Sequence, residues 1–568
     1  MDLPPSPDFR PTVPELLRTA AERWGPRDCV VTPTERMTFA QLDDRSARLA
    51  AELATQGIGK GSRVGLLFPN GVDWVIAWAA AARLGAVTVP VNTFYQATEL
   101  ARFLRHSDLQ VLLGVSAFLH HDYVARLEAV APELAAYRYG GPLLLGSLPQ
   151  LRRISLTGSA LPVWASRLSV TPAPPRVDGG LDAVVTAMGE DVTPADPLLV
   201  TYTSGSTGEP KGVVHGHGPL LTHAFNLGAL GGIGETCRIW TPMPLCWVGG
   251  FVFGLLRALT RGACFVTQET FDAGTALRLL ADERVTDVAA WPGVTKALLE
   301  HADFPSTDLR ALRAGLYEAV APDRRPPDPG LAIGSLGMSE TCGPHTFKTA
   351  AEEAAGAPEA YRGTFGRPVP GIEHRIVDPE TGHDLPEGAE GEVLVRGYSL
   401  LLGLHKRDRA TVFDADGWYH TGDRGYFRDG WFFFTGRQND LIKTGGSNVA
   451  PAEVESLLLA DDEVKLAFVV GVPDEIRGER VIALVVPSGG VAPVNRLGSA
   501  EPSGLARDGA ALGESLRGRL RGRLSSYKIP QHILPITDGQ VPWLVSQKVD
   551  RRALVALARR LLSDQVTA

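Results

Sequence analysis

Residues Leu198-Leu199-Val200-Thr201-Tyr202-Thr203-Ser204-Gly205-Ser206-Thr207-Gly208-Glu209-Pro210-Lys211-Gly212 set an apolar run directly against a loop of small hydroxyl residues and glycines that ends in a lysine. The run reads as a buried strand. The loop can turn several backbone N–H groups towards one anion while Lys211 adds a full positive charge, which is what holding a polyphosphate requires. A Walker-type loop would read GxxxxGK followed by Ser or Thr; here the glycines are closer together and Pro210 precedes the lysine, which weakens a kinase or GTPase reading. A flexible Ser/Gly turn is the plain alternative.

Outward from that loop, the chain alternates strand and helix. Thr38 and Gln41 have the spacing of a capping box, and Leu42, Leu49, Ala50 and Leu53 then share one helical face up to Gly57. Apolar strands are expected over 64–68, 86–91, 198–202, 263–267 and 285–290, with helices over 74–84 and 273–283. This rhythm predicts an α/β fold with two parallel-type sheets. After Gly366 come short alternating runs, 373–377 and 391–396, separated by turn-rich pieces, which read as a β-rich subdomain. From Gln438 a smaller α+β pattern follows: a helix over 451–459, strands over 467–472 and 480–486, and a basic helix over 512–524. The expected division is 1–437 and 438–568, with the hinge at 437–439 and a Gly/Ala/Pro-rich insertion between Ser488 and Gly513 read as a surface loop.

With 568 residues, 44% hydrophobic and 21% charged, the chain has the material for several cores, so disorder as the main state is excluded. Lys+Arg 56 against Asp+Glu 64 gives a net charge of -8 with no basic run, so nucleic acid is an unfavourable partner. The five cysteines are scattered and never spaced CxxC, which suggests neither a disulfide framework nor a zinc site and fits a reducing cytoplasm. Residues 1–14 lack the apolar core of a signal peptide, and the most apolar stretch, 74–82, is far short of a membrane span, so no transmembrane segment is expected.

The phosphate loop and four further motifs in order resemble the adenylate-forming superfamily: acyl-CoA synthetases, adenylation domains of peptide synthetases and firefly luciferase. The four are Leu336-Gly337-Met338-Ser339-Glu340-Thr341, Tyr419-His420-Thr421-Gly422-Asp423, Gly436-Arg437-Gln438-Asn439-Asp440-Leu441-Ile442-Lys443-Thr444-Gly445-Gly446 and Gln547-Lys548-Val549-Asp550-Arg551-Arg552. The segments starting at Val91-Asn92 and at Val470-Gly471-Val472-Pro473-Asp474 look most like the fatty-acyl and aryl-CoA ligases. The resemblance implies a large N-terminal domain with a small mobile C-terminal lid. It also implies two half-reactions: a carboxylic acid and MgATP give an acyl-adenylate and pyrophosphate, then CoA displaces AMP to give a thioester.

Carried over by resemblance, Thr203, Ser204, Gly205, Ser206, Thr207, Gly208, Lys211 and Ser339 would hold the nucleotide phosphates, and Asp423 with Arg437 the ribose. Glu340 and Thr203 would hold Mg²⁺, an ion that prefers hard oxygen ligands. Lys548 would stabilise the α-phosphoryl transition state. Asn439 would be the hinge residue; Lys443, Gly445 and Gly446 would line the path of CoA, with Lys443 also catalytic. Trp247, Gly249, Gly250, Trp291, Tyr317, Leu336 and Gly337 would wall the acyl pocket, whose aromatics favour an apolar or bulky acid. His420 reads as structural.

The chain departs from the family where the first half-reaction is served. Leu336 stands where relatives have a tyrosine, Gln547 replaces a glycine before Lys548, and the Pro-rich run 324–330 leaves no room for a regular helix. Three alternatives follow: a ligase that only thioesterifies an adenylate supplied by a partner enzyme, an adenylation enzyme that loads a carrier protein, and a non-catalytic acyl-binding descendant.

Overall fold

The computed structural model describes residues 6–138, 140–170, 179–204, 210–437, 441–488, 509–542 and 549–566. Its largest sheet has eight strands, and six of them, from Pro197–Ser204 across to Ser166–Arg167, are parallel. Buried runs such as Arg63–Leu67 and Val87–Pro90 fill its centre, as strands covered on both faces require. The sheet is mixed rather than all parallel, because Pro210–Gly216 folds back antiparallel on Pro197–Ser204 and then pairs with Gly403–Leu404.

A second sheet of five strands runs Asp287–Val288, Arg238–Trp240, Cys264–Val266, Asp28–Val31, Arg36–Thr38, parallel except for the last pair. The strand expected over 285–290 shortens to two residues at the edge of this sheet, where only one neighbour holds it. Helices Phe39–Thr55 and Val72–Arg83 pack against each other. The first is capped as its sequence requires: Gln41 N–H donates to Thr38 Oγ1 at 3.2 Å, and Thr38 N–H donates to Gln41 Oε1 at 2.9 Å. The second is buried almost throughout because Trp74 and Trp78 both meet Phe251, at 5.3 Å between ring centroids. No helix among the described residues is long and apolar enough to cross a membrane.

An antiparallel sheet of four strands, Ile372–Val377, Gly391–Gly397, Tyr419–Arg428 and Trp431–Arg437, forms the β-rich part. Beyond Leu441 the strands Ile442–Thr444, Ser447–Val449, Val464–Asp474, Gly478–Pro487 and His532–Pro535 make a further sheet. Two apolar clusters of their own lie on it, one around Val469 and Leu516, the other around Ile482 and Leu557. The basic helix spans Gly509–Leu520; of the insertion before it, residues 489–508 lie outside the described residues. The run 322–331 carries only two single turns, Pro322–Arg324 and Pro329–Leu331, as its prolines dictate.

Candidate active site

The phosphate-loop segment is a hairpin: Thr203 sits opposite Lys211 on paired antiparallel strands. A Walker loop instead opens a helix whose N-terminus meets the phosphates, so that geometry is excluded here. Lys211 Nζ lies 2.5 Å from Glu340 Oε1 and donates to the Tyr419 hydroxyl at 3.1 Å. Glu340 rides on the single turn Ser339–Thr341, which is fixed from several sides. His215 donates through Nε2 to the Ser339 carbonyl at 2.6 Å and accepts the Cys342 thiol at Nδ1 at 3.0 Å, while Leu401 N–H donates to the Glu340 carbonyl at 2.9 Å.

This support requires a neutral imidazole. Burial pushes His215 down to about 4, and it pushes His217, His223 and His374 down to about 3 and His345 well below its usual value. Because the unfolded chain takes up these protons near 6.5, the unfolded state binds more protons below that pH. Stability is therefore full above about 6.5 and falls as pH drops towards 4, by about 1.4 kcal/mol per histidine per pH unit. Thermal melts from pH 7.5 down to pH 5 should show a steadily falling Tm; a flat profile would contradict the neutral buried state.

A cavity of about 880 Å³ opens beside the turn. Thr203, Ser339, Gly337, Trp247, Gly249, Trp291, Lys443 and Gly446 all reach its wall, so residues far apart in sequence meet as expected. Lys211 lines an adjoining cavity of about 390 Å³. Gly445 lines a third, of about 320 Å³, which shares Trp247, Trp291, Ser447 and Tyr527 with the main one. Trp247 and Trp291 meet at 5.6 Å, forming an aromatic partition.

Gly445 and Gly446 form the two-residue loop between the paired residues Thr444 and Ser447. Both have positive φ, 56° and 79°, as a tight hairpin turn of this length demands. Gly446 also lies flat on Trp291: a β-carbon added there would sit 2.0 Å from Trp291 Cε2. Lys443, on the same hairpin, donates its backbone N–H to Glu479 Oε2 at 2.6 Å and sets its ammonium 5.4 Å from the Phe434 ring centre.

One cluster escaped the sequence reading. Lys528 Nζ bridges Glu99 Oε1 at 2.9 Å and Glu453 Oε1 at 3.0 Å, and all three residues are buried at the cavity wall. Ser525 Oγ donates to Glu99 Oε2 at 2.8 Å, and Glu99 Oε2 also accepts Gln96 N–H at the start of helix Ala97–Ser107. Burial alone would lower the Lys528 ammonium, but the Glu99 and Glu453 carboxylates override it and hold it well above its usual value. Glu453 is raised by its own burial. The only sequence signal was a glutamate at the third position of a helix, which a capping role already explains.

Gly205, Ser206, Thr207, Gly208, Asn439 and Lys548 lie outside the described residues, as do the side chains of Ser204 and Arg437. Asp423 is fully buried on the strand Tyr419–Arg428, with its α-carbon opposite that of Arg437. Three expected acyl-pocket residues do not line the cavity. The Tyr317 hydroxyl donates to the Pro326 carbonyl at 2.9 Å and its ring lies under the Arg325 guanidinium, because the Pro-rich run folds over it. Leu336 is buried against the Val393 and Phe347 cluster. Gly250 packs on backbone: a β-carbon there would sit 2.4 Å from the Pro244 carbonyl oxygen. His420 pairs with Glu392 at 3.1 Å, which agrees with a structural role.

Glu340 and the Thr203 hydroxyl are hard oxygen donors of the kind Mg²⁺ takes when it arrives on a triphosphate, so the residues present fit that ion. Among the described residues no cluster of three or more His, Cys, Asp or Glu could hold a metal without such help.

Residues 17–405 match the family described as AMP-binding enzyme, and residues 453–543 match the AMP-binding enzyme C-terminal domain. An acyl-CoA ligase of Ajellomyces capsulatus is 30% identical, covering 98% of this chain and 92% of the relative. The mitochondrial medium-chain acyl-CoA ligase of Rattus norvegicus is 30% identical over 95% of this chain and 86% of its own length. Among solved structures, the amide bond synthetase of Marinactinospora thermotolerans superimposes with a TM-score of 0.73 at 24% identity, covering 95% of this chain and 99% of that one. An o-succinylbenzoate CoA synthetase from Bacillus subtilis gives 0.70 at 23%, covering 95% and 97%. At such identities these two structures speak for the fold alone.

Proposed function

The chain belongs to the AMP-binding enzyme family and is an ATP-dependent, AMP-forming acid–CoA ligase, and from that premise we propose how its residues divide the work. In the first half-reaction an oxygen of the carboxylic acid attacks the α-phosphorus of ATP and pyrophosphate leaves. Lys211 and the backbone of the adjoining loop hold the departing phosphates, Glu340 and Thr203 hold the Mg²⁺ that comes with ATP, and Asp423 holds the ribose. Lys548 steadies the charge that develops at the α-phosphoryl group. In the second, the CoA sulfur attacks the acyl carbon and AMP leaves.

The observation that carries this reading is the hairpin bearing Lys443 and Gly446, closed onto Trp291 at the cavity that Thr203 and Ser339 also line. We assign this arrangement to the thioester-forming half-reaction, with the 320 Å³ cavity beside Gly445 as the approach of the pantetheine arm. The division at 437–439, with Asn439 as hinge, would let the C-terminal part turn a different face to the cavity for adenylation. Lys528 then ties the thioester-forming arrangement, since Glu99 lies on the N-terminal side of that hinge and Lys528 and Glu453 beyond it. Glu99→Gln should slow thioester formation from a synthetic acyl-adenylate about tenfold, the loss of one buried charge-assisted bond; an unchanged rate would remove the tie.

A second reading is favoured by one observation: at the position where relatives carry a tyrosine, Leu336 is buried away from the cavity. On that reading a partner enzyme supplies the adenylate and this chain only thioesterifies it. Pyrophosphate exchange with ATP, measured across apolar, aromatic and polycyclic acids, separates the two. The five cysteines, all unpaired and buried, support a reducing, cytoplasmic setting.

A further inference from the structure

Two turns or so along the helix from Gly249, the wall of the main cavity carries a charge that the apolar acyl pocket does not call for. Arg257 is 6% exposed, and its guanidinium lies over the Phe253 ring at 4.1 Å. Among the described residues it makes no hydrogen bond and no ion pair, and its Nε is buried without a partner. Burial pushes it down to about 10, so it is still a cation at neutral pH.

The nearby carboxylates are already engaged. Asp287 accepts both Arg313 Nε at 2.9 Å and Arg313 Nη2 at 3.0 Å, as well as the Thr286 hydroxyl at 2.6 Å. Glu353 is held by Lys348 at 2.6 Å. Arg257, Arg313 and Lys348 therefore face Asp287 and Glu353, and one positive charge is left over at this part of the cavity. The Phe253 ring offsets part of the desolvation of that charge but satisfies none of its five N–H donors. A buried cation without a counter-charge is costly, and a native fold that keeps one has a use for it.

We propose that the acid this enzyme activates carries a second carboxylate, remote from the one that becomes the thioester, and that Arg257 receives it. A carboxylate neutralises the surplus charge and matches the guanidinium fork with two parallel bonds. The aromatic walls around Trp247 and Trp291 then surround the apolar body between the two ends. The inference rests on the ligase reading of the cavity, and its test keeps the two apart.

Straight-chain monocarboxylic and dicarboxylic acids of matched length would be compared in two ways: equilibrium binding by calorimetry without ATP or CoA, and kcat/KM for thioester formation. At the best-fitting length the diacid should be preferred by roughly 10- to 100-fold in both. Arg257→Met should collapse that preference by the same factor, and Arg257→Lys should restore part of it. Because the methionine removes an unpaired buried charge, the unliganded variant should melt no lower than the wild type, while the diacid should stabilise only the wild type. If Arg257→Met does not fold, the wild-type ratio and Arg257→Lys still decide. Equal or tighter use of monoacids at every length overturns the proposal, as does an unchanged ratio in Arg257→Met, or a keto acid of the same length outcompeting the diacid. Arg257-dependent diacid binding with no thioester from any acid would sink the ligase reading and leave this one standing.

Discussion

Replacing Gly446 with tryptophan is expected to lower thioester formation from a preformed acyl-adenylate by at least about 100-fold while leaving acid-dependent pyrophosphate exchange largely intact. Two costs add. The backbone at Gly446 has φ of 79°, which charges any other residue about 1–2 kcal/mol. The first added carbon would already sit 2.0 Å from Trp291, and overpacking of that kind costs about 1–3 kcal/mol before the indole is accommodated. Both fall on the arrangement in which the hairpin meets the cavity and not on the fold of either part, since Gly446 is at the tip of a two-residue loop. Normal CoA kinetics in this variant would remove the hairpin from the second half-reaction.

The second large effect runs the other way. Lys548→Ala should depress pyrophosphate exchange by about 10²–10³-fold, the range for removing one charge-stabilising group from a transition state, and should spare thioester formation from the adenylate. Equal loss of both activities would mean that one face of the C-terminal part serves both steps. Gln547 bears on the same experiment: if the backbone before Lys548 needs the left-handed region, Gln547→Gly should raise exchange.

What could be read from sequence was local. The cap at Thr38 and Gln41, the tight turn at Gly445-Gly446 and the strand before the phosphate loop are each decided by residues within a few positions of one another, and each is found in the fold. The folding-back of 210–216 was not read, because a strand's direction depends on what it pairs with and not on its own pattern. Lys528 and its partners were invisible for the same reason: they lie 429 and 75 residues apart in the chain, and no periodicity links them. Tyr317, Leu336 and Gly250 were placed in the acyl pocket by resemblance, and local packing took each of them elsewhere. Arg257 looked like any charge in a helix until the engaged state of Asp287 and Glu353 left it alone.

The central claim, that one chain activates an acid with ATP and passes it to CoA, is tested most directly by a paired assay over a panel of acids. One arm follows acid-dependent exchange of pyrophosphate into ATP; the other follows CoA thioester formed from acid, ATP and CoA. The account predicts activity in both arms for the same acids, with AMP released in step with thioester. Thioester from synthetic adenylates alone, with no exchange for any acid, would contradict it and leave a ligase that depends on a partner for its first half-reaction.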